Sequence, residues 1–350
     1  MTRTLPFLAG TACALALSSA AFAADPELTI FDWAGWEIDG ALQPYVDKWG
    51  DKPTYVFYAD DDEAFQKVAS GFKADAVHPC LGALPRYREA GLIEPWDTSK
   101  IDAFGKIDPR FLASSSIKDD GGVWFIPFDY AYTATAYNKD EVPEEDVASL
   151  QVYKNPKYAG RIALPDNSDD VWALAFLATG VDSWDNVTDE QIATAAAWLR
   201  EVHPNVRTYW KDPSELSQMM ASGEILVAWS WNDPVAILLD ENFPVGFNRA
   251  PAEGASTWSC GFVNLKDAPG NEDKVYDWVN SMFAPSSERP ILDAIGYVNT
   301  NPDAVATIPE EDLKARFVDP VTTKLFMQSP MTAELRDKLV DEFELIKSGF

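Results

Sequence analysis

Apolar positions recur along this chain with two periods that take turns. Residues 28–31 and 54–58 are short runs rich in β-branched and aromatic side chains, which predict strands. After them the period lengthens: Phe65, Val68, Ala69 and Phe72 fall at i, i+3, i+4 and i+7, one stripe of a helix. Residues 74–77 predict another short strand, followed by a helix that stops at Gly91. The alternation continues with a strand over 161–164 and a helix over 169–179 closed by Gly180. Thr188 and Gln191 form a capping box, opening a helix that turns Ile192, Ala195, Ala196 and Leu199 inward. Residues 225–230 read as an apolar buried strand, and 271–283 as an amphipathic helix. Strands alternating with helices predict an α/β fold with mainly parallel sheets.

No repeat, low-complexity tract or charge block divides the 350 residues, a length that suggests roughly two lobes. Without a flexible Gly/Ser linker, the chain is expected to pass between lobes on extended segments, at 126–130 and 247–258. The first residues carry a separate signal. Arg3, an apolar run over 5–17 and Ala21-Phe22-Ala23 predict a cleavable export signal over 1–23, too short to span a bilayer. Cys13 follows Gly10-Thr11-Ala12, a poor lipidation signal, which leaves Cys80 and Cys260 after cleavage. In an oxidising compartment two such cysteines are expected to pair, and neither sits in a spacing that would hold a metal.

Charge narrows the partners. With 28 basic against 56 acidic residues the net charge is −28, which argues against nucleic acid and anionic membranes. A content of 47% hydrophobic and 13% aromatic residues excludes a disordered chain. Enzyme signatures are missing: there is no G-x-S-x-G, H-E-x-x-H, G-x-G-x-x-G or phosphate-binding loop, and His78 and His203 each precede a proline. What stands out is tryptophan beside carboxylate in predicted loops. Residues 32–37 read Asp-Trp-Ala-Gly-Trp-Glu, 229–233 read Trp-Ser-Trp-Asn-Asp, and Trp258 precedes Cys260. Aromatic faces attract ammonium groups and a buried carboxylate adds a charge-assisted hydrogen bond, so these clusters suit an amine. Trp33, Trp36, Trp231 and Asp233 are therefore candidates, with Asp129 on the first predicted crossing. The acids at 60–63 are expected to cap a helix rather than bind metal. Those at 166–170 lack the glycine and distal glutamate of a calcium loop.

In these residues the sequence resembles the periplasmic spermidine/putrescine-binding proteins of ABC transporters, over most of the chain after residue 23. The marks are Phe31-Asp32-Trp33, residues 75–79 (Asp-Ala-Val-His-Pro) with Gly91-Leu92-Ile93, Ile126-Pro127, and residues 157–161 (Lys-Tyr-Ala-Gly-Arg). Gly223-Glu224 leading to Trp231-Asn232, and Ile295-Gly296-Tyr297, continue the series. The resemblance implies a two-lobe periplasmic binding protein fold of type II, with ligand in a cleft closed by a hinge. Residues 24–126 with about 258–303 would form one lobe, and about 127–257 with 304–350 the other. Carried over by position, Trp33, Trp36, Trp231, Trp258 and Tyr297 would box the ligand, Asp170 would hold an amine and Glu344 would face it. Asn167 stands where another acid is usual, and Gly82 where a tyrosine would close the pocket. Cys260 occupies the position of a central amine-binding aspartate and Cys80 that of a ligand-contacting serine, which makes a disulfide beside the cleft plausible. Arg207, were it to face the cleft, would pair with a carboxylate and turn the expected ligand into a zwitterion. The implied function is that of a monomeric periplasmic receptor without cofactor or catalysis. It would deliver a polyamine such as putrescine or spermidine, or an amino-acid-like compound such as γ-aminobutyrate, to ABC transporter permease subunits. A secreted sugar-binding or carbohydrate-active protein is the alternative.

Overall fold

The strand Ala24–Trp33 pairs in parallel with Lys52–Tyr58 on one side and with Ala76–Val77 on the other, as the apolar runs predict. The computed structural model describes residues 24–181, 183–184 and 187–350, so the expected export signal and its cleavage site lie outside the described residues. Helices Asp39–Trp49, Glu272–Met282 and Pro285–Ile295 pack together over these strands. Leu28, Ile30, Leu42, Tyr45, Phe262, Trp278 and Val279 lie in one core. A second core holds Ile162, Val171, Trp172, Phe176, Leu199, Trp229, Leu339 and Phe343. Beside it Ala136, Trp210, Leu216, Val235 and Phe247 form a third.

Two long strands link these cores. Ile126–Asn138 and Ala255–Leu265 run antiparallel, from Ser256 opposite Thr133 to Phe262 opposite Ile126. One end of the pair reaches Ala76–Val77, and the other meets Val227–Ser230, Val245–Asn248 and Leu325–Met327. Every residue of both strands is buried except Tyr130, since both faces are covered. That is why their sequence reads as continuous rather than alternating. Gly261 marks where they come closest: the register shifts there, and a Cβ would collide with the Ile126 carbonyl.

The expectation of mainly parallel sheets is corrected. Outer pairs are parallel, but the two long strands run antiparallel to each other, and Val227–Ser230 and Val245–Asn248 also run antiparallel to the first of them. Apolar patterning encodes burial and not strand direction, so a returning strand looks like any other. The first expected crossing lies on the first long strand. The second is displaced: Val245–Asn248 folds back onto residues 135–138, and the linking strand begins at Ala255. Past residue 303, Ile308, Leu313 and Val318 pack with Leu292 and Val298 of the preceding segment, so the chain beyond 303 starts on that side.

Local signals hold at the helix ends. Asn167 caps Ser168–Ala178 through the Asp170 N–H, and Thr188 and Gln191 cap Asp189–Val202 reciprocally. Asp60 caps Asp61–Ala69 through the Glu63 N–H, as expected of that acidic run. Gly296, at φ 72°, ends Pro285–Ile295 in a left-handed turn that sets Tyr297 against Trp258.

Candidate functional site

The register of the two long strands builds the floor of the site. Asp129, Ala131 and Thr133 lie opposite Cys260, Trp258 and Ser256, and side chains two apart on a strand share a face. His78 stands at one end of this floor, fully buried, with Nδ1 2.9 Å from Asp32 Oδ1 and Nε2 2.8 Å from Asp129 Oδ1. Burial works against its charge, but the two carboxylates outweigh burial and push the imidazole pKa up to about 10. His78 is therefore an imidazolium pinning two strand ends to the first long strand. The Trp36 ring meets its edge at 4.7 Å. Next to it, Cys80 and Cys260 form the expected disulfide, packed with Ala131, Trp258 and Tyr297. Trp258 and Tyr297 meet edge to face at 4.9 Å. The Trp258 indole nitrogen and the Ser256 hydroxyl are buried with no hydrogen-bond partner among the described residues.

Asp170 occupies the other end. It sits in the first turn of Ser168–Ala178, 4% exposed, where the Asn167 cap holds it. Its carboxylate accepts hydrogen bonds from the Thr133 hydroxyl at 2.8 Å, the Trp231 indole at 2.7 Å and the Gln328 amide at 2.8 Å. Burial raises its pKa to about 6 and the three hydrogen bonds limit the rise. All three donors are neutral, so the negative charge is placed and solvated but not cancelled. Trp231 is itself fixed edge-on against Trp210 at 4.7 Å. Asp233 lies in the first turn of Asn232–Asp240, and burial pushes its pKa up to about 7.

A seam of charges joins the helices on either side. Arg336, from Ala333–Lys347, donates to Asp169 at 3.0 Å and lies 3.6 Å from Asp62 of the helix Asp61–Ala69. Arg86 also pairs with Asp62. Asp61 accepts weakly from the Cys80 N–H at 3.3 Å. Burial raises its pKa to about 7 against the pull of Arg86 and Arg336.

The structure thus gathers Trp36, Asp129, Asp170, Trp231, Trp258, Tyr297, Cys80 and Cys260 around the floor. Asp129, however, is engaged by His78. Trp33 packs at a tilt against Tyr58, ring centres 4.8 Å apart, and its indole donates to the His78 carbonyl. Arg207 stands outside the cluster: its side chain is 58% exposed at a sheet edge and pairs with Glu224. Glu344 is 62% exposed and pairs with Lys347. Both side chains are largely exposed, so the condition under which Arg207 would turn the ligand into a zwitterion is not met, and Glu344 is not drawn into the cluster. Sequence reading missed Thr133, Gln328, Arg336 and the His78 pairing. A lone threonine or glutamine carries no pattern. The Asp32–His78 pair, by contrast, was open to suspicion, because the two close adjacent parallel strands.

This arrangement can hold a cation: a placed carboxylate, Asp170, walled by indoles. The model of a family described as bacterial extracellular solute-binding protein matches residues 52–317. The spermidine/putrescine-binding periplasmic protein of Escherichia coli is 25% identical over 297 residues, spanning 84% of this chain and 83% of that one. In structure, a spermidine/putrescine ABC transporter substrate-binding protein from Streptococcus pneumoniae superposes with a TM-score of 0.77 at 22% identity, over 92% of this chain and 98% of that one. A γ-aminobutyrate (GABA) receptor superposes with a TM-score of 0.74 at 19% identity, over 92% and 97%. These structures share the two-lobe periplasmic binding protein fold, and the relatives are binding proteins and not enzymes. The chain belongs to the bacterial extracellular solute-binding protein family.

Proposed function

We propose that the chain is the periplasmic receptor of an ABC importer and captures a small cationic amine between its lobes. The observation that carries this reading is Asp170, a buried carboxylate whose hydrogen-bond donors are all neutral, beside Trp231 and the Trp258–Tyr297 wall. A buried charge without a counter-ion is costly, and a bound ammonium supplies one. The relatives' ligands and the disulfide, which fits an oxidising compartment, support the same reading. A polyamine-type ligand is favoured over a zwitterion, because Arg207 is paired with Glu224 at the surface. Export through residues 1–23, a monomeric state and delivery to permease subunits belong to the same proposal.

Isothermal titration with putrescine, spermidine, γ-aminobutyrate and simple sugars tests it. Saturable binding of an amine that Asp170→Asn weakens by about tenfold or more is the expected result. Binding of sugars alone overturns the reading.

The pH dependence has a definite sign. Asp170 and Asp233 have folded-state pKa values raised from 3.8 to about 6 and about 7. Their contribution to stability is therefore complete below about 3.8 and is lost in the ligand-free protein as pH rises through 6 to 7. A bound ammonium favours the ionised carboxylates, so putrescine affinity should rise roughly tenfold between about pH 5 and 7 for each carboxylate it engages. Titrations across that range check this, and a flat or falling affinity contradicts it.

Arg336 lies 3.6 Å from Asp62 across the seam, an ion pair that opening of the lobes would break. Arg336→Gln is expected to speed putrescine release and weaken affinity about fivefold, corresponding to about 1 kcal/mol. Stopped-flow tryptophan fluorescence reads this directly.

A further inference from the structure

Four carboxylates near the floor and its supports each keep one buried oxygen without a hydrogen-bond partner among the described residues: Asp32, Asp129, Glu288 and the half-buried Asp233. Their surroundings differ. Asp32 and Asp129 share the His78 imidazolium, and Glu288 accepts from the Asn299 N–H deep in the first core. Among the described residues, no cation is hydrogen-bonded or ion-paired to Asp233. The groups that act on it are its own backbone N–H, the Tyr297 hydroxyl and the negative charges of Asp212 and Asp170.

An aspartate in a helix's first turn ordinarily complements the exposed N–H groups while its outer oxygen stays in water. Asp233 departs from that pattern because its Oδ1 is excluded from solvent and unpartnered. The Asp233 carboxylate meets the hydroxyl of Tyr297, whose ring packs on Trp258, and Trp258, Cys260 and Tyr297 form one cluster. This cluster is also where the resemblance places a central amine-binding aspartate, the position Cys260 holds in this chain. With that sulfur committed to Cys80, no carboxylate remains there.

We propose that Asp233 supplies the second ammonium contact of the site, so that the carboxylate absent at position 260 on the linking strand is replaced from the start of the helix Asn232–Asp240. The ligand then spans two carboxylates of the same lobe, one amine at Asp170 and the other between Asp233 and the Trp258–Tyr297 wall. Asp233 becomes a specificity determinant: it rewards a second positive charge and gives nothing to a chain that ends in a methyl group. This inference rests on the amine reading above.

The experiment compares wild type and Asp233→Asn by titration with 1,4-diaminobutane and n-butylamine. Asparagine keeps the size and the polar contact to Tyr297 and removes the charge. The expected result is a 10- to 100-fold loss of affinity for the diamine with n-butylamine changed less than twofold. Equal losses for both amines, or no loss for either, overturn the proposal while leaving the amine reading intact. A wild-type protein that binds neither amine sinks the amine reading itself, and this proposal with it. A second measurement needs no variant: wild type should bind 1,4-diaminobutane at least tenfold more tightly than 4-amino-1-butanol, and equal affinities overturn the assignment.

Discussion

Replacing His78 with alanine should destabilise the folded protein by about 3–5 kcal/mol, measured by urea unfolding at neutral pH. The imidazolium is fully buried and lies 2.9 Å from Asp32 and 2.8 Å from Asp129, so its removal strands two buried carboxylates at once. Each already has one oxygen with no partner among the described residues, so the loss has no local remedy except protonation. Protonation of one aspartate sets the upper limit on the effect. The group's pH signature separates charge from packing. Its pKa is raised from 6.5 to about 10, so its stabilisation is complete below about 6.5 and fades as pH rises through 10. The wild-type advantage over His78→Gln, which keeps a neutral donor, should therefore shrink between about pH 6.5 and 10. A loss below about 1 kcal/mol for His78→Ala would mean that the triad is not ionic.

His78 also shows where sequence reading stops. In the sequence His78 and His203 each precede a proline and show no catalytic spacing. The partners of His78 lie 46 and 51 residues away: Asp32 meets it because the strands ending at Trp33 and Val77 are adjacent and parallel, and Asp129 because the first long strand reaches the same place through Ala255–Leu265. Periodicity marks those strands but not their order. The same limit explains the mixed sheet: the runs at 126 and 255 announce burial, while the antiparallel return that makes them a floor follows from tertiary pairing. Trp231 and Trp258 stand out in the sequence as indoles at strand ends, whereas Asp170 and Tyr297 enter as ligand candidates only through the resemblance. Thr133 and Gln328 were not legible, since a neutral donor signals nothing until the acceptor it serves is in place. Arg207 shows the opposite error, a chemically loud residue on an edge strand whose side chain faces water.

Reducing the Cys80–Cys260 disulfide should lower stability by about 2–4 kcal/mol and weaken amine binding about tenfold. The bond closes a loop of 180 residues, for which the chain-entropy argument gives nearly 5 kcal/mol. The expected figure is smaller because the partners stay close without it. The Gly261 N–H donates to the Pro79 carbonyl at 3.0 Å, and the neighbouring strands Ala76–Val77 and Ala255–Leu265 are paired directly. Stability loss alone would leave binding intact, so the affinity arm carries the functional content. Cys80 begins the turn that leads to Gly82 and Arg86, and its backbone N–H meets the Asp61 carboxylate at 3.3 Å. Cys260 stands two residues from Trp258 on the same face. The bond therefore fixes the turn before the helix Leu84–Glu89 against the strand that presents the aromatic wall, and freeing it lets one move without the other. Thermal unfolding and putrescine titration of wild type with and without reductant, and of the double variant C80S/C260S, give both quantities. A drop in melting temperature with unchanged affinity would make the disulfide a fold staple that happens to border the cleft. A parallel loss of both would show that the disulfide holds the Trp258–Tyr297 wall in the geometry that the ligand needs.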